Sequence, residues 1–311
     1  GFDDFYGHGN NGIDYYTHER YGAPSLFRGN ALSPADRGGY ATEIFRREAV
    51  GFIRENRARP FFLYLPFNAP HVASNLEKDS NQVPSHYLKK YYPALDPALP
   101  ATKYAGMVTA MDEAIGEVFA TLRELGLDRD TLVLFHSDNG RNGARIDDIR
   151  LRGGKGSGFE GGLRVPLLAW WPGAIPAGRT TQEFITALEI FPTLAAAGGA
   201  KLPAGVNYDG FDLLPVLQGK IPSPRREMFW DFPDAYQAAR VGNWKWVSFT
   251  PRGRRGEVPD KEELFDLAAD PGEKNDLAAA EPQRLAELKV RFARWRAEMA
   301  ASEPRGPFRD Y

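Results

Sequence analysis

Apolar residues recur along the chain with two different periods, and the changes of period mark the elements. Over residues 41–57 the apolar positions Phe45, Ala49, Phe52 and Ile53 fall at i, i+4, i+7 and i+8, the stripe of an amphipathic helix, which Pro60 ends. Residues 61–65 (FFLYL) form a short aromatic run, apolar on both faces, which predicts a buried strand of the kind found in parallel sheets. A helical period then runs through Tyr104, Met107, Val108, Met111, Ile115, Val118, Phe119 and Leu122 and stops at Gly126. Residues 131–135 (TLVLF) predict a second buried strand, 165–171 a third, and 189–197 a further helix. Polar side chains follow two of the strands, as Asn68-Ala69-Pro70-His71 and as His136-Ser137-Asp138-Asn139-Gly140.

Past about residue 222 the pattern changes. Short aromatic strands at 228–232, 239–249 and 263–267, with turn residues between them, predict antiparallel hairpins. Leu285, Leu288, Phe292, Trp295 and Met299 then share one face of a last helix over 281–299. Helices alternating with apolar strands predict an α/β domain over 1–222, followed by a small sheet-and-helix domain over 223–311. Ligands of open α/β sheets gather at the carboxyl ends of the strands, where His71, Asp138 and Asn139 fall.

Composition narrows the function classes. The 39 Lys+Arg and 41 Asp+Glu leave a charge of −2, without the basic excess of a dedicated nucleic-acid binder. No apolar run approaches the ~18 residues of a spanning helix, so no membrane span is expected. Cysteine is absent, which excludes disulfides, thiolate metal sites and a cysteine nucleophile among these residues. Residues 1–12 (GFDDFYGHGNNG) have neither the basic start nor the apolar run of a signal peptide, and the chain is expected to begin inside a longer protein.

Candidate chemistry concentrates in a few places. Asp138 and Asn139 offer adjacent oxygen donors of the type hard cations prefer, although Asp-Asn-Gly taken alone is more often a turn than a metal site. Two side chains cannot complete the ~6 to 8 oxygens around calcium, so a site would need partners from elsewhere. His71 stands where an imidazole could act as general acid or base, or simply as a polar loop residue. Lys155 sits among Gly153, Gly154, Gly156 and Gly158, where backbone N–H groups and an ammonium could meet an oxyanion. The loop is not a nucleotide P-loop, because Ile149 and Gly156 occupy the wrong positions. Two matches to the dinucleotide glycine pattern, at Gly7-x-Gly9-x-x-Gly12 and Gly156-x-Gly158-x-x-Gly161, lack the strand and helix that the motif needs. Asp147-Asp148 reads as a solvated pair, His136 as the last strand residue, and His8, His18 and His86 show no metal spacing.

Taken together, Asn68-Ala69-Pro70-His71, Ser137-Asp138-Asn139-Gly140, Leu151-Arg152-Gly153-Gly154-Lys155-Gly156 and Glu160-Gly161-Gly162-Leu163-Arg164-Val165-Pro166 resemble the sulfatase family in order and spacing. Gly1-Phe2-Asp3-Asp4-Phe5-Tyr6-Gly7, Asp14 to Arg20 (DYYTHER), Tyr104 to Val108 with Met111-Asp112, and Glu263 to Leu267 leading to Asp270-Pro271-Gly272-Glu273 extend the resemblance over nearly the whole chain. They look like the arylsulfatase B, or N-acetylgalactosamine-4-sulfatase, branch.

The resemblance implies an alkaline-phosphatase-like α/β sheet flanked by helices, with a small C-terminal antiparallel sheet plus helix. It implies that Asp138 and Asn139 are calcium ligands, that Lys155 contacts a sulfate oxygen and that His71 lies beside the leaving-group oxygen. The family's nucleophile is a formylglycine made by a formylglycine-generating enzyme from the Cys or Ser of a Cys/Ser-x-Pro-x-Arg segment, and no such segment is present. In Ser33-Pro34-Ala35-Asp36-Arg37 the proline stands one position early. The N-terminal acidic metal pair and a Gly-Lys-x-His segment are missing as well. The expectation is therefore the carboxyl two-thirds of an exported calcium sulfatase acting on sulfated carbohydrates or aryl sulfates, inactive alone. The alternatives are a phosphomonoesterase or phosphodiesterase of the same superfamily and a domain that binds sulfated glycans without turnover.

Overall fold

Ala41–Asn56 is helical because Ala41, Ile44, Phe45, Ala49 and Ile53 make one buried face, while Arg46, Arg47, Arg54 and Glu55 stay outside it. Every element below comes from a computed structural model that describes residues 1–77, 79–140, 151–232, 235–250 and 261–302. The chain divides into two compact units, Gly1–Thr131 and Leu132–Tyr311.

The first unit opens with five short strands: β1 (Tyr6–His8), β2 (Glu19–Arg20), β3 (Ala23–Pro24), β4 (Leu26–Arg28) and β5 (Ala31–Leu32). β4 lies between β1 and β5, and β2 pairs with β3, all antiparallel. Three helices follow: α1 (Ala41–Asn56), α2 (Ser85–Tyr91) and α3 (Pro100–Glu124). Pro100 starts α3, where its missing N–H costs nothing, and Met107, Ala110, Ala114 and Leu122 bury one face of it. Arg46 to Glu117 at 2.6 Å and Arg54 to Glu124 at 2.7 Å tie α1 to α3 at the surface. The stability comes chiefly from the apolar cluster of Ile13, Tyr15, Leu26, Tyr40, Phe45, Ala69, Tyr87 and Met107.

A buried carboxylate sits against that cluster. Burial by itself would raise the pKa of Asp14, but the N–H groups of Thr17 and Tyr16 and the amides of Asn75 and Gln82 outweigh it and hold the carboxyl below its ordinary 3.8. A carboxyl depressed on folding contributes stability that is present above its unfolded value and lost as pH falls through its folded value. Asp14→Asn is therefore expected to be less stable than the parent near neutrality and to lose less stability below pH 3.8. Urea midpoints of the full chain across that range check this; a parallel acid limb in the two proteins would refute it.

The second unit contains β6 (Val133–His136), α4 (Glu160–Leu163), β7 (Leu167–Trp170), α5 (Ile190–Ala197), α6 (Leu214–Leu217), β8 (Glu227–Phe232), β9 (Tyr236–Val241), β10 (Trp244–Phe249), β11 (Lys261–Asp266) and α7 (Pro282–Ser302). β8 to β11 form the antiparallel sheet in the order β11-β10-β9-β8. α7 lays Leu288 and Phe292 against Phe229, Ala239, Trp246 and Leu264. The Phe292 ring meets Trp246 edge-on at 5.2 Å, and Trp295 stacks on Phe229 at 5.4 Å.

Three expectations change. The strand over 239–249 is a hairpin, because Gly242 and Asn243 form a two-residue turn that pairs Val241 with Trp244. Residues 61–65 belong to no strand among the described residues, with Phe61, Leu63 and Leu65 half-buried but Phe62 54% and Tyr64 65% exposed. Phe62 stacks instead on Phe2 at 5.8 Å. Finally, β6 pairs antiparallel with β7 and is half-exposed rather than buried. An apolar run reports burial potential but neither the partner nor its direction.

Candidate active site

The carboxyl end of β6 delivers His136, Ser137, Asp138, Asn139 and Gly140 in succession. Ser137 Oγ donates to the Asn139 carbonyl at 2.9 Å, closing the turn. Asn139 Nδ2 donates to the Gly140 carbonyl at 2.9 Å, which commits the amide nitrogen and leaves Oδ1 as the end without a partner among the described residues. Asp138 is exposed beside it. Two oxygen donors therefore stand on a fixed turn.

The glycine-rich loop is the second component. Gly153 and Gly156 take positive φ values of 77° and 82° on either side of Lys155, a backbone that β-carbon-bearing residues rarely adopt. Ser157 holds the loop closed: its N–H donates to the Gly154 carbonyl at 3.0 Å, and its Oγ accepts from Gly154 N at 3.1 Å. Lys155 is exposed and has no ion-pair partner among the described residues. A surface ammonium without a carboxylate is available to an anion.

Backbone contact joins the two components. Gly140 N–H donates to the Gly162 carbonyl at 2.9 Å, and Gly161 N–H to the Arg152 carbonyl at 2.7 Å. A β-carbon on Gly140 would overlap the Gly161 carbonyl, and one on Gly162 the Ser157 carbonyl. Glycine thus lets the turn after β6 touch, main chain to main chain, the segment that follows the Lys155 loop. Gly140→Ala is expected to lower stability by about 1–3 kcal/mol through this overlap, and a chemical denaturation midpoint reads it. A midpoint equal to that of the parent would mean the loops do not meet in this way.

His71 belongs to the other unit and stands separately. A cis peptide links Ala69 to Pro70, His71 N–H donates to the Asn68 carbonyl at 2.8 Å, and the Tyr15 hydroxyl donates to the His71 carbonyl at 2.7 Å. The backbone is fixed while the imidazole is exposed, its Nδ1 2.8 Å from the Val72 carbonyl. If Nδ1 carries the proton for that contact, Nε2 faces outward as an acceptor. His136 ends β6 and faces solvent, as the strand reading expected. His18 is buried, and desolvation lowers its pKa. Asp147-Asp148 lies outside the described residues.

Asp138 and Asn139 match a hard cation in donor type and fall short of it in number. Among the described residues, no three His, Cys, Asp or Glu side chains gather closely enough to hold a metal ion, and no helix is long and apolar enough to cross a membrane.

Sequence reasoning missed a group of buried charges behind the glycine loop. Lys245 Nζ lies 2.8 Å from Glu160 Oε1 and 2.9 Å from Glu273 Oε1, and Lys245 and Glu273 are wholly buried. The only signal was a lysine inside the apolar strand Trp244–Phe249.

The Sulfatase family profile matches residues 1–200, and the N-sulphoglucosamine sulphohydrolase C-terminal profile matches residues 155–298. The chain belongs to the sulfatase family. It is similar to the mouse (Mus musculus) Steryl-sulfatase, 36% identical over 308 residues that cover 88% of this chain and 47% of the relative. Human (Homo sapiens) Arylsulfatase A is 37% identical over 224 residues, covering 63% and 44%. The crystal structure of Ps i-CgsB in complex with k-i-k-neocarrahexaose superposes with a TM-score of 0.79 at 27% identity, over 95% of this chain and 66% of that one. The family and the alkaline-phosphatase-like fold expected from the motifs are those found. The chain spans about half the length of the curated relatives it matches. This sulfatase chain carries the C-terminal antiparallel sheet and helix that its sequence predicts.

Proposed function

We propose that this chain supplies the sulfate-gripping loop and part of the cation site of an enzyme that hydrolyses sulfate esters of sugars or aryl alcohols. The observation that supports the reading is the Gly140 to Gly162 hydrogen bond at 2.9 Å, which ties the turn bearing two oxygen donors to the segment after a loop whose ammonium has no ion-pair partner among the described residues. Lys155 binds a sulfate oxygen and offsets charge on the leaving oxygen; the family resemblance gives His71 the role of general acid, which requires a proton on its outward ring nitrogen as well, and that proton passes to the departing alkoxide. Asp138 and Asn139 would hold part of a calcium ion's shell, and that ion would polarise the sulfate. The nucleophile would be a formylglycine installed by a formylglycine-generating enzyme, and these 311 residues contain no Cys/Ser-x-Pro-x-Arg segment to supply it. A sugar ester is favoured because Ps i-CgsB holds a hexaose ligand.

The test compares nitrophenyl sulfate with nitrophenyl phosphate, using the protein extended to the length of its relatives. Preferential hydrolysis of the sulfate is expected. Preference for the phosphate would move the chain to the phosphoesterases of the superfamily, and tight binding of a sulfated glycan without release of sulfate would leave a binding domain.

A further inference from the structure

Glycine makes the Lys155 loop possible, and glycine alone would leave it loose, since residues without side chains lose the most conformational freedom on ordering. The loop is held from both ends by charged side chains that take no part in the proposed chemistry. At its start, Arg152 Nη1 donates to Glu263 Oε2 of β11 at 2.6 Å and to the Glu273 carbonyl at 3.1 Å. The same guanidinium lies 4.0 Å from the centre of the Phe159 ring, so it clamps the loop from the inside as well. At its far end, Glu160 N–H donates to Glu273 Oε2 at 2.7 Å, and Glu160 Oε1 accepts from Lys245 Nζ at 2.8 Å. Glu273, with φ of 54°, is itself fixed by a turn in which Asp270 Oδ2 accepts from the N–H groups of Lys274 and Asn275, both at 2.7 Å.

The expense of this arrangement is its most informative feature. Lys245, Glu160 and Glu273 are almost completely removed from water, and burial pushes the Glu273 carboxyl above its ordinary range despite the neighbouring ammonium. Apolar side chains of equal size would often stabilise such a spot as well or better. What they could not supply is direction: an ammonium between two carboxylates fixes where Glu160 stands, and Glu160 is only five residues from Lys155.

We propose that Lys245, Glu160 and Glu273 are positioning residues that fix the Lys155 loop for sulfate, making the C-terminal sheet a working part of the site. The inference rests on the proposed role of Lys155. The loop is tethered to β10 through Lys245 and to the turn after β11 through Glu273. Loss of the tether leaves Lys155 present but no longer aimed.

The experiment uses the full-length enzyme and reads the inhibition constant of inorganic sulfate against nitrophenyl sulfate, well below each variant's unfolding midpoint. Lys245→Met is expected to weaken sulfate about tenfold, the worth of one charge-assisted contact. Glu160→Asp keeps the charge and shortens the tether by one methylene, so it is expected to weaken sulfate without stranding a buried ion; it also serves if Lys245→Met does not fold. Adding Glu273→Gln to Lys245→Met removes the second stranded carboxylate and is expected to restore part of the affinity. Arg225→Met, which breaks a buried ion pair elsewhere in the same unit, controls for lost stability and is expected to bind sulfate as the parent does. Parent-like sulfate binding by Glu160→Asp and by folded Lys245→Met, beside weakened binding by Lys155→Ala, would overturn the positioning role alone. Equal weakening by Arg225→Met would overturn it too, since stability would then explain the effect. Parent-like binding by Lys155→Ala would instead remove the Lys155 reading on which the inference rests.

Discussion

On the proposed reading, Lys155→Ala in the protein extended to the length of its relatives is expected to lower kcat/KM for a nitrophenyl sulfate by about 100- to 1000-fold, the range seen when one preorganised charge-stabilising donor is removed. The unfolding midpoint is expected to stay put, because the side chain is exposed and makes no ion pair among the described residues. That separation of effects distinguishes a substrate contact from a structural one. Gly153 and Gly156 shape the loop through their own backbone, with φ values of 77° and 82°, and Ser157 closes it without help from the ammonium. Lys155→Arg keeps the charge but replaces a compact point donor by a planar fork, so an intermediate loss is expected. Steady-state kinetics with a thermal melt of each variant decide the matter. Unchanged turnover in Lys155→Ala would take this residue out of the mechanism, and equal losses of turnover and stability would make it a structural residue.

The parts of this molecule legible in its sequence are those whose cause is local. The helices over 41–57, 104–122 and 281–299 correspond to Ala41–Asn56, Pro100–Glu124 and Pro282–Ser302, because a buried stripe is written in the spacing of one segment. The N-terminal strands of two or three residues carry no period and were not foreseen. The pairing of β6 with β7 depends on how the chain returns, which hydropathy does not record. Residues 61–65 have the composition of a strand, yet a ladder also needs a neighbour. Among the candidate site residues, Asp138, Asn139 and Lys155 stood out through their type and glycine context, whereas the contact between the segments that carry them is made by the main chain of Gly140 and Gly162. Main-chain contact has no signature beyond glycine itself. The Lys245 cluster was hidden for another reason: in an alternating strand a lysine reads as solvent-facing, and only the carboxylates of Glu160 and Glu273, 85 residues before and 28 after it in the chain, make its burial tolerable.

A second buried ion pair carries the largest expected effect on stability. Glu189 is fully buried at the start of α5, where Thr186 Oγ1 donates to it at 2.9 Å and Arg225 Nε at 2.9 Å. Arg225 also donates to the Asp209 carbonyl at 2.8 Å, so one guanidinium ties together the segments around residues 189, 209 and 225. Removing the cation while leaving the anion buried costs more than the pair contributes, because the carboxylate loses its partner and does not regain water. Arg225→Met is therefore expected to lower the unfolding free energy of the full chain by about 3–5 kcal/mol. Glu189→Gln keeps an acceptor for Thr186 and is expected to cost less. The double variant leaves no lone buried charge, so it is expected to lose less than the two single losses added together, and the shortfall measures the coupling. Denaturant midpoints for the four proteins close the cycle. An Arg225→Met midpoint within experimental error of the parent, or strictly additive losses, would show that water reaches Glu189 and that the pair does not anchor α5.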